Sequence, residues 1–225
     1  LKTGENMEQE VKLVAITEGA EELIGKNAQD LISYIARVSN PNNQMNFDSG
    51  SKLIKYCIDH QHWSIFEHSF VTMQIKTSRA IGTQILRHRS FTFQEFSLRY
   101  AAAFDKINYE ARRQDSKNRQ NSIDDMSEED KRWFDEQQEK VWANSKDLYD
   151  QALSRGIAKE QARFLLPLNT ATTIYMSGSV RSWIHYLQLR CANGTQKEHQ
   201  EIALMCRDIL AKRFPDVSKA LGWTD

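Results

Sequence analysis

The stretch Arg87–Tyr100, RHRSFTFQEFSLRY, sits where one kind of chain gives way to another. Two arginines flank a histidine, three phenylalanines follow, and Glu95, Ser97 and Arg99 are interleaved with the last of them. That is more charge beside more aromatic surface than an ordinary core element carries, and an anionic, planar ligand suits it. Upstream, SRAIGTQILRHR (78–89) spaces Ile81 and Ile85 one turn apart and predicts a helix. On it Gln84, Arg87 and His88 fall at i, i+3 and i+4 and neighbour one another. From Glu95 onward the period becomes two, which predicts a strand with Phe96, Leu98 and Tyr100 on one side and Glu95, Ser97 and Arg99 on the other. The polar row then runs carboxylate, hydroxyl, guanidinium, spaced about 7 Å per step.

Working outward, the flanking segments predict an α+β fold: a small, mostly antiparallel sheet with helices packed outside, in a single domain over 1–225. Strands are expected at Val11–Ile16, Phe66–Lys76, after Glu95 and at Thr170–Met176. Helices are expected at Asn27–Val38 and Ser51–His60, and from the Ser127 box to about Arg155 with Gly156 as its stop. Shorter or later helices follow at Lys159–Leu166, in SVRSWIHYLQLRC (179–191) and at Thr195–Phe214, where Gln196, Glu198 and Glu201 read as solvent-side. The turn Ser177-Gly178-Ser179 would open the 179–191 helix with exposed amide donors, a natural anion contact. Residues 1–9 are polar and expected to form a disordered tail, with Met7 a candidate native start. Residues 101–126 read as an exposed, variable excursion, its Arg112 and Arg113 balanced by Asp115, Asp124 and Asp125.

Composition narrows the function. Lys plus Arg and Asp plus Glu number 30 each, so no global field draws the chain to nucleic acid or to a membrane surface, and any anion site must be local. No apolar run approaches the roughly 18 residues of a membrane span, and no signal segment is evident, which together predict a soluble, cytoplasmic protein. The cysteines Cys57, Cys191 and Cys206 are odd in number and lack a C-x-x-C, so they read as buried apolar residues. Neither a G-x-G-x-x-G nor a phosphate-binding P-loop is present.

Two further segments carry chemistry. HQHWSIFEH (60–68) is the densest histidine cluster. It supplies enough donors for a metal-dependent hydrolase, but its spacing matches no ligand set with a rationale, and His60 reads more simply as a helix-end cap. In the 179–191 helix, Arg181, His185 and Gln188 share one face, whereas Arg190 falls about 180° around. The two faces therefore belong to different sites or the helix ends before Arg190. A second alternative function is single-stranded nucleic-acid binding, with Phe91, Phe93 and Phe96 as stacking platforms among the arginines.

The run Arg87-His88-Arg89, seven residues, Ser97, extended by Arg99 and Tyr100, resembles the RHR-x7-S motif of the flavin-dependent thymidylate synthases. The resemblance spans about 62–201, broken by the excursion. It implies that family's fold and a methyltransferase that converts dUMP to dTMP in nucleotide biosynthesis. The carbon would come from methylenetetrahydrofolate and the reducing equivalents from NADPH through FAD, in a homotetramer with sites shared between chains. No metal is implied. By the same resemblance the dUMP set is Gln84, Ile85, Leu86, Arg87, Glu95, Phe96, Ser97, Leu98, Arg99, Arg163 and Arg190. The FAD set is His62, Ser64, Arg87, His88, Arg89, Glu95, Ser179, Val180, Arg181 and His185. A family His-x4-Glu-His run is fitted by His62, Glu67 and His68. Two positions depart: His185 stands where many members have Asn, and Gly194 where some have a flavin-side histidine. With no cysteine among these residues, activation of the uracil ring is expected to be electrostatic, through Arg190. Ser97 has no evident base and reads as a hydrogen-bonding residue.

Overall fold

The computed structural model describes residues 6–103 and 105–224. In chain order they form β1 (Glu10–Ile16), α1 (Ala28–Ala36), α2 (Gly50–Asp59), β2 (Phe70–Ser78), α3 (Arg79–Ile85) and β3 (Thr92–Glu95). A short hairpin of β4 (Arg113–Gln114) and β5 (Ser122–Ile123) leads to α4 (Glu128–Ser154) and α5 (Lys159–Ala162). The chain closes with β6 (Ala171–Ser179), α6 (Val180–Arg190), α7 (Lys197–Arg213) and α8 (Pro215–Ala220). The architecture is α+β.

One antiparallel sheet, in the order β1-β2-β6-β3, organises the rest. Alternation in β2 and β6 puts Val71, Met73, Ile75 and Met176 on the inner face, all buried, against Trp183, Ile184 and Leu187 of α6 and Ile202, Ala203 and Cys206 of α7, with Ile174 buried beside Gly82 of α3. Each such side chain contributes about 1.5–3 kcal/mol on burial. The indole of Trp183 also donates to the carbonyl of Val71 at 3.1 Å, which pins α6 to the sheet. Helix starts follow local chemistry: Asn27 and Asp30 make a reciprocal capping box on α1, and Ser127 caps α4. The imidazole of His60 lies 2.9 Å from the Tyr56 carbonyl at the end of α2, so it does cap that helix. No helix among the described residues is long and apolar enough to cross a membrane.

Several expectations are corrected. Residues Ser177–Ser179 are strand rather than turn, and Gly178 is there because the Phe91 ring occupies the space a Cβ would need, at 2.5 Å. The strand expected after Glu95 ends at Glu95. The FTF segment alternates equally well, and burial of Phe91 selects the earlier register. The Phe96 amide makes one more bond, to Thr173 (2.9 Å), and the chain then turns, so Leu98 is buried while Tyr100 is exposed. Helix α3 stops at Ile85, which leaves Arg87–Arg89 in the turn that follows.

The expected tail is anchored over residues 6–9: the Met7 amide bonds to the Lys106 carbonyl, and the Gln9 side chain accepts from Thr77. Residues 1–5 lie outside the described residues. The excursion is exposed only in its second half. Ala103, Lys106, Ile107 and Ala111 are buried, with Lys106 paired to Glu139, whereas Arg112–Asp124 and Arg113–Asp125 ion pairs hold the outer hairpin. On α4 the apolar stripe is divided: Trp142 and Tyr149 are core, but Trp133, Val141 and Leu148 face solvent.

Candidate active site

The first patch forms where α3, α6 and α7 meet. Ile85 is fully buried, and its anchoring brings Gln84 and His88 to the gap beside α6. Arg190 donates from Nε to His88 Nε2 at 2.9 Å, so His88 is an acceptor and its imidazole is neutral. Burial, then the nearby Arg190, lower its pKa to about 4. With Nε committed, the two terminal nitrogens of Arg190 have no protein partner among the described residues and form a free fork of donors. Behind His88, its ring edge-on at 4.8 Å, stands the buried Tyr186. The Tyr186 hydroxyl lies 3.0 Å from His199 Nε2, His199 Nδ1 lies 3.2 Å from Gln84 Oε1, and Gln84 Nε2 donates to Gln196 Oε1 at 2.6 Å.

This network contains residues that the sequence reading missed. Tyr186 and His199 were absent from it, and Gln196 was placed in solvent. The available signal was helical period: His199 shares a stripe with Ile202, Ala203 and Cys206, a histidine on an apolar face. Glu198 is also buried rather than on the solvent side. Of the expected trio, Gln84 and His88 do converge, whereas Arg87 is exposed and, like Arg89, makes no side-chain hydrogen bond among the described residues.

A second patch lies past the end of β3. Glu95 does not join Ser97 and Arg99 in a polar row: its Oε1 accepts from Arg79 (3.0 Å) and Thr172 (2.9 Å), which ties it into the sheet. Arg79 also donates to the Phe96 carbonyl at 2.7 Å and so holds the turn that follows. Arg99 and Arg163 both bond to Glu160, Arg99 across the fold and Arg163 from within the same turn. Arg99 donates to the Glu160 carboxylate and Arg163 to the Glu160 carbonyl, each at 3.1 Å. The Ser97 hydroxyl accepts from the Arg99 amide, and no base among the described residues bonds to it. Leu98 and Ile85 direct their side chains into the core, Leu86 is half-buried, and Phe96 is exposed.

The third patch is a cavity of about 380 Å³ bordered by Trp63, Glu67, Ser90, Arg181, His185 and Gln188. Arg181, His185 and Gln188 thus share a face, as helix geometry requires, and Arg190 belongs to the first patch on the other side. Glu67 accepts from Arg181 (2.9 Å) and Ser179 (2.6 Å). Ser179 additionally caps α6 through the Ser182 amide, while Val180 is buried with its amide bonded to the Ser69 carbonyl, so two of the amide donors expected here are already engaged. His62 and Ser64 are exposed beside this patch; the His62 ring lies 5.9 Å from Tyr56, on which His60 stacks at 4.0 Å. The histidine segment is an aromatic stack at the end of α2 rather than a ligand set. Phe91 is buried with its ring 4.9 Å from Trp183, which removes it from the stacking platform that nucleic-acid binding required. Cys57 and Cys206 are buried, and burial raises both thiols and that of Cys191, so no thiolate is offered to any patch. In chemistry the third patch suits a planar, phosphorylated cofactor: it offers the Trp63 ring, the Arg181 guanidinium and the His185 imidazole, while Arg87 and Arg89 are exposed guanidiniums outside its lining.

The comparisons bear on this geometry. A solved UMP/dUMP methylase, PolB from Streptomyces cacaoi with 5-Br dUMP bound, has the same fold: the TM-score is 0.83 at 22% identity, over 97% of this chain and 96% of that one. The fold is thus the α+β fold of that structure, and the polar side chains gathered on it here are arginines and neutral imidazoles rather than a thiolate. A family model described as thymidylate synthase complementing protein matches residues 12–216. A probable flavin-dependent thymidylate synthase of Paramecium bursaria Chlorella virus 1 is 55% identical over 213 residues, 94% of this chain and 98% of the relative. The flavin-dependent thymidylate synthase of Synechocystis sp. is 54% identical over 216 residues, 95% and 100% of the two chains. The chain belongs to this family, the flavin-dependent thymidylate synthases, and is an enzyme of the methyltransferase class.

Proposed function

We propose that the chain is a cytoplasmic enzyme that reductively methylates dUMP to dTMP. In this reading methylenetetrahydrofolate is the carbon donor, and NADPH supplies reducing equivalents through bound FAD. The observation that carries the reading is the state of Arg190: one nitrogen held by a neutral histidine, two left free, in a chain more than half identical to enzymes of that name.

Methylation at the fifth carbon of uracil requires electron density to be pushed onto that carbon. With no thiolate available, the fork of Arg190 does this by hydrogen-bonding the pyrimidine carbonyl and stabilising the anionic form as it develops. A guanidinium already oriented by His88 needs no reorganisation at that moment. Arg87, Arg99 and Arg163 hold the phosphate, and the Arg99–Glu160 pair, both partners exposed, exchanges one anion for another at little cost. Glu95 acts by fixing Arg79 and the Phe96 turn, which positions the backbone of residues 96–99. Arg181, His185, His62, Ser64, Arg87 and Arg89 hold FAD, which when bound supplies the hydride that converts a transferred methylene to methyl. The Arg190 and Arg99 patches sit on different elements, and Trp133, Val141, Leu148, Phe164 and Leu168 remain exposed. Both features support a homotetramer in which neighbouring chains complete each site.

The test is the visible spectrum of the purified protein, followed by an anaerobic assay for dTMP formation from dUMP, methylenetetrahydrofolate and NADPH. A flavin band and NADPH-dependent dTMP formation are expected. A colourless protein that cannot be reconstituted with FAD and yields no dTMP would end this reading.

A further inference from the structure

The Tyr186–His199 pair belongs to none of the roles above, yet it touches Gln84 directly. We propose that these two residues are positioning residues that lock the Gln84 carboxamide with its nitrogen toward the site, so that the ligand must present a hydrogen-bond acceptor there. The inference rests on the dUMP reading and deepens it.

The direction of the hydrogen-bond chain follows from burial. The Tyr186 hydroxyl is fully buried, burial keeps it a phenol, and His199 Nε2 is its one partner among the described residues. A buried hydroxyl proton needs an acceptor, so it goes to Nε2. The imidazole, fully buried and beside Arg190 and His88, is neutral, its pKa lowered to about 3 by desolvation first. A neutral imidazole has one N–H. That proton is therefore on Nδ1 and is donated to Gln84 Oε1 at 3.2 Å. Flipping the carboxamide would set two donors face to face, so the oxygen stays inward. Of the two hydrogens left on Gln84 Nε2, one goes to Gln196 Oε1 and the other is available to a ligand. An acceptor oxygen of the nucleotide, on its phosphate or its pyrimidine ring, suits this donor; an exocyclic amine does not.

The experiment is titration of the FAD-loaded protein with dUMP, read from the flavin spectrum. His199→Leu should weaken dUMP about tenfold without loss of bound flavin. His199→Asn, whose amide nitrogen replaces the Nδ1 donor, should restore most of the affinity. In a Gln84→Ala background His199→Leu should cost nothing further. Should His199→Leu not fold, Tyr186→Phe carries the test, with a loss of about threefold that likewise vanishes in Gln84→Ala. A loss shared by deoxyuridine assigns the oxygen to the pyrimidine, and one confined to dUMP assigns it to the phosphate. Equal losses in the Leu and Asn variants, a loss that persists in Gln84→Ala, or no loss at all would overturn the inference. A wild-type flavoprotein that fails to bind dUMP would overturn the parent reading as well.

Discussion

Arg190 and Arg99 are the same residue type in opposite conditions. Arg190 is half-buried, and its Nε is taken by a neutral imidazole that itself packs edge-on against a buried tyrosine. Arg99 keeps 58% of its side chain exposed and pairs with a Glu160 that is 47% exposed. A braced, half-buried guanidinium acts on charge that develops during a reaction, because its dipoles are already aimed. A guanidinium on a solvated loop binds charge that is already there and adds affinity. Under the proposed function the two patches divide the work between rate and binding.

The sharpest way to break that division is Arg190→Ala. Turnover should fall by about 100-fold or more while flavin content is retained, measured by single-turnover dTMP formation. Near-normal turnover would show that the braced arginine does not drive the chemistry. Arg87→Ala should appear chiefly as weaker dUMP binding, about 10- to 100-fold, with a smaller change in kcat; a pure kcat effect would erase the contrast.

Acid should loosen the braced patch before the exposed one. His88 and His199 have folded-state pKa values depressed to about 4 and about 3 from an ordinary value of 6.5. Below pH 6.5 the unfolded chain takes up protons that the folded chain refuses, so stability is full above that pH and declines as pH falls toward 4 and 3. Urea unfolding at pH 7 and pH 5 reads this, and His199→Leu should flatten the slope; an unchanged slope would show that His199 is not held neutral. The smallest effect belongs to Glu160→Ala, which should shift stability by no more than about 0.5 kcal/mol, since both partners of its ion pair are exposed. A loss of several degrees in Tm would make that pair a structural element rather than an exchangeable one.

Much of the scaffold was legible because its signals are local. Helical period separated the Arg181 and Arg190 faces of α6, and the structure puts them in different patches. Alternation found β2, an apolar run found β1, which proves half-exposed rather than buried, β-branched composition found most of β6, and capping chemistry found the start of α4. The failures lie where local patterns are degenerate. FTFQEFSLRY alternates in either of two placements, and the choice was made by Phe91 packing over Gly178. Ser177-Gly178-Ser179 has turn composition but lies in the sheet for the same reason. In the site, the resemblance put Arg99 and Arg163 in one nucleotide set but gave no sign of Glu160, whose carboxylate Arg99 engages. The capture of Glu95 by Arg79 and Thr172 was not expected either, because Thr172 lies on a strand far along the chain.

By itself the sequence determined which chemistry the chain carries: the arginines, the spaced serine, the absence of an activated thiol, and the two faces of one helix. These follow from residue identity and short-range period. Only the tertiary structure decided which arginine is braced, which way the Tyr186–His199–Gln84 chain runs, and which carboxylates are already committed. Those depend on burial and on partners brought together from distant parts of the chain, since a proton's direction along a hydrogen-bond chain is settled only when every competing acceptor has been packed out of reach.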